Sequence, residues 1–234
     1  KLEKMRNEFL GNVSHELKTP IALIQGYAEG LKEGVNEDAE SREFYCEVIM
    51  DEASKMNQMV KNLLTLNQLE FGDEDIVFDR FNLTALVRGV LQSMEIMADQ
   101  AGAKILLHTE EDIYAWADEF KVEQVVKNYV SNACHHVSGD MVIEVKMVQK
   151  DGKVRVSVFN TGTPIPEADI AHIWDKFYKV DKARTREYGG SGIGLSIVEA
   201  TMKAHGKDYG VANVEGGVEF YFDVESADSE SVQC

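Results

Sequence analysis

The sequence predicts a multi-domain chain, an all-α helical hairpin forming a dimeric four-helix bundle followed by an α+β sandwich. Three observations predict it. Apolar residues recur every three or four positions as far as Leu66, the texture changes after Phe71-Gly72-Asp73, and strand-length apolar runs then mix with helical stripes.

From Lys1 to about Gly34, Leu10, Val13, Leu17, Ile21, Ile24, Ala28 and Leu31 form the stripe of one long amphipathic helix. Pro20 lies inside it, so a kink with one lost backbone hydrogen bond is expected there. The stretch Gly34 to Glu40 breaks the pattern, and a second stripe runs through Ile49, Ala53, Met56, Val60, Leu63 and Leu66. Two helices cannot enclose a core, so their apolar faces are expected to meet a second copy across a two-fold axis. Phe78 to Leu83 then reads as a short strand, and Leu83 to Ala101 as one helix. Further strands are expected at Lys104 to His108, Met141 to Gln149, Arg155 to Asn160 and Val218 to Val224, with helices at Glu119 to His136 and Gly194 to His205. The boundaries expected are 1–70, 74–225 and a polar tail at 226–234 that reads as disordered.

Composition narrows the function. An apolar content of 44% supports a buried core, and no run approaches the roughly 18 apolar residues of a membrane span. A formal charge of −17 with dispersed Lys and Arg argues against a nucleic-acid partner, which needs clustered cations. Cys46, Cys134 and Cys234 lack metal-ligand spacing and read as incidental thiols in a reducing compartment. Trp116, Trp174 and the methionines of the second helix read as core, while His108, His172 and His205 carry no assigned role.

The chemistry-bearing segments are four. In Ser14-His15-Glu16-Leu17-Lys18-Thr19-Pro20, His15 lies about 200° round the helix from Leu17, away from the core stripe and towards solvent. Glu16 is placed to hold one ring nitrogen protonated, leaving the other as a nucleophile. A lone exposed histidine is by itself only a surface residue; the heptapeptide changes that weighting. Asn128 and Asn132 are spaced i, i+4 on one helical face, where amide oxygens can serve a hard cation such as Mg²⁺ while phosphates complete the shell. Val158-Phe159-Asn160-Thr161-Gly162-Thr163-Pro164-Ile165 runs from a strand into a Gly turn. Gly189-Gly190-Ser191-Gly192-Ile193-Gly194-Leu195 opens a helix whose N-terminus favours an anion. Alone, each of the last three also reads as solvated surface, a strand end or a flexible loop.

Together they resemble the boxes of sensor histidine kinases, in family order, over about residues 1 to 225. The first segment matches the H-box at every position. The resemblance implies that His15 is the phosphoacceptor, Glu16 its acid/base partner, Thr19 the residue that positions water for dephosphorylating the regulator, and Pro20 a pivot. Asn128 and Asn132 resemble the N-box of the ATP-binding fold shared by histidine kinases, gyrase, Hsp90 and MutL, which implies Asn132 as Mg²⁺ ligand and Asn128 near the phosphates. Hydrolysing members of that fold carry a glutamate where this chain has Asn128, which cannot act as a base, so histidine rather than water is the expected acceptor. The third segment resembles the G1 box with Gly162 and Ile165, the fourth the G2 box with Gly190, Gly192, Gly194 and Leu195, all implied to bind ATP. Ile173 to Lys179 resembles the F-box, and Lys179, ahead of Lys182, Arg184 and Arg186, supplies positive charge over the nucleotide.

Three departures stand out. Asn160 replaces the aspartate that accepts from the adenine amino group, Pro164 replaces a glycine, and His135 replaces a lysine near the phosphates. An amide accepts a weaker bond than a carboxylate, and a neutral imidazole holds phosphate more weakly than an ammonium. The implied function is an ATP-dependent autokinase and homodimer that passes phosphate from His15 to a response regulator receiver domain, in the cytoplasmic part of a membrane-anchored sensor. Two rivals stand beside it, a phosphatase-dominant or pseudokinase regulator with a weakened ATP site, and a helical interaction module switched by nucleotide.

Overall fold

Two long helices open the chain in the computed structural model, which describes residues 2–34, 38–71, 76–109, 112–180 and 192–227. They are α1 (Leu2–Glu33) and α2 (Ala39–Phe71). α1 runs through Pro20 as one helix, although the proline nitrogen has no hydrogen for the Glu16 carbonyl. Asp38 starts α2 by accepting from the Ser41 N–H at 2.7 Å and the Ser41 hydroxyl at 2.8 Å. These bonds, the backbone one foremost, hold its carboxyl below the usual range. The helices approach closely at Gly30, where a Cβ would stand 2.7 Å from the Tyr45 ring. Tyr27 meets Tyr45 edge to face there, with ring centroids 4.8 Å apart. Part of the apolar stripe stays at the surface of the single chain: Leu10 is 53% exposed and Val60 45%. The methionines of α2 divide, Met59 being buried and Met50 largely exposed, so they are not uniformly core.

The chain forms two compact units, Lys1–Thr65 and Leu66–Cys234. The end of α2 counts with the second because Leu66 is buried and Glu70 Oε2 accepts from Lys176 Nζ at 2.6 Å.

The second unit proceeds through β1 (Asp79–Asn82), α3 (Leu83–Ser93), α4 (Glu95–Gln100), β2 (Lys104–His108), β3 (Tyr114–Ala117) and α5 (Glu119–His136). It continues with β4 (Val142–Lys150), β5 (Lys153–Thr161), α6 (Glu167–Ile170), α7 (Gly194–His205), β6 (Tyr209–Val214) and β7 (Gly217–Ser226). The strands form one sheet in the order β1-β3-β7-β5-β4-β2, with β6 also paired to β7. β2 and β4 are parallel and the other pairs antiparallel. Alternation decides which face is dry: Val154, Val156 and Val158 of β5 are buried, as are Phe220, Phe222 and Val224 of β7. Val87 of α3, Val122, Val126 and Tyr129 of α5, and Val198 and Met202 of α7 join the same core. Each such side chain contributes about 1.5–3 kcal/mol on burial.

Four features differ from the pattern reading. The helix expected over Leu83 to Ala101 breaks at Met94 (φ −103°, ψ 4°), beside the Ser93 hydroxyl that donates to Val90 O. β3 and β6 carry too few alternating residues to announce themselves; Gly210 in β6 is required because a Cβ would meet the Tyr221 ring at 2.8 Å. Trp116 is 40% exposed, on the opposite side of β3 from buried Ala115 and Ala117. Ser226 and Ala227, expected in the polar tail, belong to the sheet region instead, since Ser226 pairs with Ala115 and the Ala227 N–H donates to Tyr114 O; residues 228–234 lie outside the described residues.

His205 has a structural role that its sequence position did not announce. It is buried, its Nδ1 donates to Thr201 O at 2.8 Å, and its Nε2 accepts from the Asp118 N–H at 3.2 Å. Asp118 caps α5 by accepting from the Lys121 N–H, and its other oxygen accepts from the Val77 N–H. Burial depresses the His205 pKa from 6.5, with Lys121 and Lys207 adding to the effect and the Thr201 carbonyl and Asp118 opposing it. His135 is also lowered by burial. Between the folded and unfolded values the unfolded chain binds more protons, so stability is fully present above the unfolded value and lost as pH falls. We expect the urea midpoint to fall between about pH 7.5 and pH 5.5, above the carboxylate range, and less steeply in His205→Asn. A wild-type midpoint unchanged across that window would show that these imidazoles titrate alike in both states.

Candidate functional site

In the helical unit, the residues of the first segment sit on the unbroken α1. His15 and Thr19 are exposed and one turn apart, Glu16 is half-buried and Pro20 is buried. The Ser14 hydroxyl donates back to Leu10 O at 2.8 Å, which turns it away from its neighbour and along the helix.

In the second unit, α5 and α7 build the candidate anion site. The buried stripe of α5, Val122, Val125, Val126, Tyr129 and Val130, fixes its rotation, and Asn128, Asn132 and His135 lie beside that stripe at helical spacing. Asn128 meets the start of α7, where a Cβ on Gly194 would stand 3.4 Å from Asn128 Oδ1. Its Nδ2 is buried without a hydrogen-bond partner among the described residues, an arrangement that costs about 1–3 kcal/mol unless a ligand satisfies it. The N-cap of α7 is Ile193, which offers no side-chain cap, so the first-turn N–H groups are available to an anion. Leu195 packs on the core behind them.

Gly192 shows why its position demands glycine. Its φ is +68°, its carbonyl accepts from the Phe177 N–H at 2.8 Å, and a Cβ would stand 2.9 Å from Phe177 Cα. Phe177 itself is at φ 65°, so both sides of this contact adopt left-handed backbone. Upstream, Trp174 packs edge-on to Tyr209 at 5.0 Å, and the Tyr178 hydroxyl donates to Asp169, which raises the phenol pKa. Lys179 is half-buried at the end of this segment. Lys182, Arg184, Arg186, Gly189, Gly190 and Ser191 lie outside the described residues.

The end of β5 carries the third motif. Asn160 is 2% exposed and its Nδ2 donates to Thr161 O at 3.2 Å. Thr161 joins β5 to the end of α5, its carbonyl accepting from the Ser138 N–H at 2.9 Å. Gly162 passes so close that a Cβ would meet His136 O at 2.9 Å. The Gly162 N–H donates to Gly216 O, and Ile165 is held by the side chain of Asn213 on β6. Asn213 and the Asp169–Tyr178 pair were not legible as site features, Asn213 because it lies on a strand without a pattern. Burial keeps His135 neutral near pH 7, so it offers no fixed positive charge.

The residues present fit Mg²⁺ in kind: Asn128 and Asn132 offer neutral amide oxygens at one-turn spacing, which suits a cation that keeps waters and takes phosphate oxygens. Among the described residues, no group of three or more His, Cys, Asp and Glu could hold a metal by itself. Nor is any helix among them long and apolar enough to cross a membrane. A surface groove lined by Leu91, Glu95, Asp99 and Ile105 among others contains none of the motif residues.

Comparison with known proteins agrees with this geometry. Residues 117–228 match the family described as histidine kinase-, DNA gyrase B- and HSP90-like ATPase, and residues 5–72 match the His kinase A (phospho-acceptor) domain. The sensor histidine kinase WalK of Bacillus subtilis is 32% identical over 220 residues, covering 92% of this chain and 36% of that protein. The chain thus spans about a third of the length of the first curated relatives it matches, 35–36%. The catalytic domain of histidine kinase ThkA is 32% identical with a TM-score of 0.56, covering 64% of this chain and 95% of that one. ThkA in complex with the response regulator protein TrrA is 29% identical with a TM-score of 0.74, covering 96% of this chain and 65% of that one.

Gly192→Ala should destabilise by about 1–3 kcal/mol more than Gly139→Ala, since both residues have positive φ but only Gly192 has a neighbour within 4 Å of a Cβ. Urea denaturation of the two variants checks this, and equal losses would mean that the Phe177 contact adds nothing beyond backbone strain.

Proposed function

Because this chain belongs to the sensor histidine kinases of two-component systems, we propose that it phosphorylates its own His15 with ATP and passes the phosphoryl group to an aspartate of a response regulator receiver domain. The observation that carries the proposal is the exposure of His15 on an unbroken helix within the complete seven-residue motif. A buried or distorted imidazole could not reach a phosphorus atom, whereas this one stands in solvent one turn from Thr19.

His15 attacks through one ring nitrogen, forming an N–P bond as the bond from the γ-phosphorus to the bridging oxygen breaks and ADP departs. Glu16 takes the proton of the other ring nitrogen, which leaves an uncharged imidazole ring bearing the anionic phosphoryl group. Asn132 would hold Mg²⁺, which would supply charge neutralisation for the phosphates. Asn128 and the first-turn N–H groups from Gly194 and Leu195 bind phosphate oxygens, and Lys179 adds positive charge from the other side. Because Asn128 cannot serve as a base, water is not activated there and the phosphoryl group is reserved for His15. Asn160 accepts from the base, with Gly162 and Ile165 shaping the wall around it.

Residues 1–70 act as the dimerisation and phosphotransfer hairpin and 74–225 as the catalytic ATP-binding domain. The exposed stripe containing Leu10, Ile21 and Val60 supports a homodimeric four-helix bundle. Thr19 serves the reverse reaction, phosphatase activity on the regulator, by positioning water. The chain operates in the cytoplasm as part of a membrane-anchored sensor. A phosphatase-dominant regulator is the second reading, favoured by one observation: the buried group at the base-contacting position is the uncharged Asn160.

Incubation with γ-labelled ATP and Mg²⁺ should give label that is lost in acid, kept in base, and absent from His15→Gln. Label that persists in that variant would place the acceptor elsewhere; no label, from folded protein that binds ATP, would favour the phosphatase reading.

A further inference from the structure

One side chain outside every motif holds the loop that follows β5. Asn213 Oδ1 accepts from the Ile165 N–H at 2.9 Å, and Asn213 Nδ2 donates to Ile165 O at 2.8 Å. Both polar groups of one peptide residue are thereby taken by a single primary amide, as a neighbouring strand would take them. Ile165 lies outside the strands, so no ladder partner competes for these groups. The register explains why Asn213 reaches it: Asn160 on β5 stands opposite Val218 on β7, which stands opposite Asn213 on β6. The three form one row across the sheet, with side chains on one face.

The loop between the two ends of this row is pinned twice. Gly162 donates to Gly216 O at 3.1 Å, and Ile165 is held by Asn213. Pro164 between them has a fixed φ and restricts Thr163 to extended backbone. A proline where the related motif has a glycine therefore sits in a loop whose ends are tied and whose middle is stiff.

We infer that Asn213 is a positioning residue for the nucleotide, holding the Gly162–Ile165 loop in the shape that meets the base. This inference rests on the nucleotide-binding reading above. Asn213 is exposed, so its replacement leaves the core intact. Only an amide offers a donor and an acceptor in one fork; an aspartate keeps the bond to the Ile165 N–H but sets a carboxylate against Ile165 O.

The test measures Mg-ATP affinity by calorimetry, autophosphorylation kinetics, and exchange of the Ile165 amide proton in the wild type, Asn213→Ala and Asn213→Asp. We expect Asn213→Ala to speed Ile165 exchange and weaken ATP about fivefold, raising KM equally while kcat at saturating ATP stays within twofold. Asn213→Asp should be no better than Asn213→Ala. ATP affinity unchanged in Asn213→Ala despite faster Ile165 exchange would overturn the inference, as would a fall in kcat and melting temperature with KM unchanged. Folded wild-type protein that binds no ATP would instead sink the nucleotide reading, and the positioning role with it.

Discussion

The packing of α5 against the sheet is the constraint on which the second unit depends. Five aliphatic and aromatic side chains, Val122, Val125, Val126, Tyr129 and Val130, leave the helix no freedom to rotate about its axis. Tyr129 adds direction to this non-directional burial, its hydroxyl donating to Tyr221 O at 3.0 Å on β7. Polar residues beside that stripe are consequently fixed without contacts of their own. Asn128 is the clearest case, since its amide nitrogen is buried beside the start of α7 with no hydrogen-bond partner among the described residues. An unpaired polar atom persists at such a place because the surrounding apolar packing outweighs it.

Much of this was legible in the sequence, for reasons that differ by element. α5 was readable because its Val and Tyr repeat is long. The end of α7 was readable from Gly206, which adopts φ 62° after His205. β3 and β6 were hidden: Tyr114–Ala117 is four residues long, and Tyr209–Val214 is an edge strand with glycine inside it. The break at Met94 was hidden as well, because the apolar period continues through it and the Val90 carbonyl still accepts from the Met94 N–H.

The candidate site divides along the same line. Residues in linear motifs, His15, Asn128, Asn160, Gly192 and Gly194, were singled out because those short segments together resemble the boxes of a known family. Residues that act across the sheet were not. Asn213 is 48 positions from Ile165 and His205 is 87 from Asp118, separations at which no local period exists. Trp116 shows the converse error, in which a large aromatic suggests core although its strand turns it to the open face.

Asp118 joins three segments through three separate groups: its carboxylate oxygens bind Val77 and Lys121, and its N–H binds His205 at the end of α7. Phe78, next to Val77, also lies edge-on to the His205 ring, with centroids 5.5 Å apart. The stretch leading into β1 is therefore riveted to the first turn of one site helix and the last turn of the other. Displacing Val77 and Phe78 would disturb contacts at the start of α5 and at the end of α7 at once, which makes this corner a shared anchor for both helices.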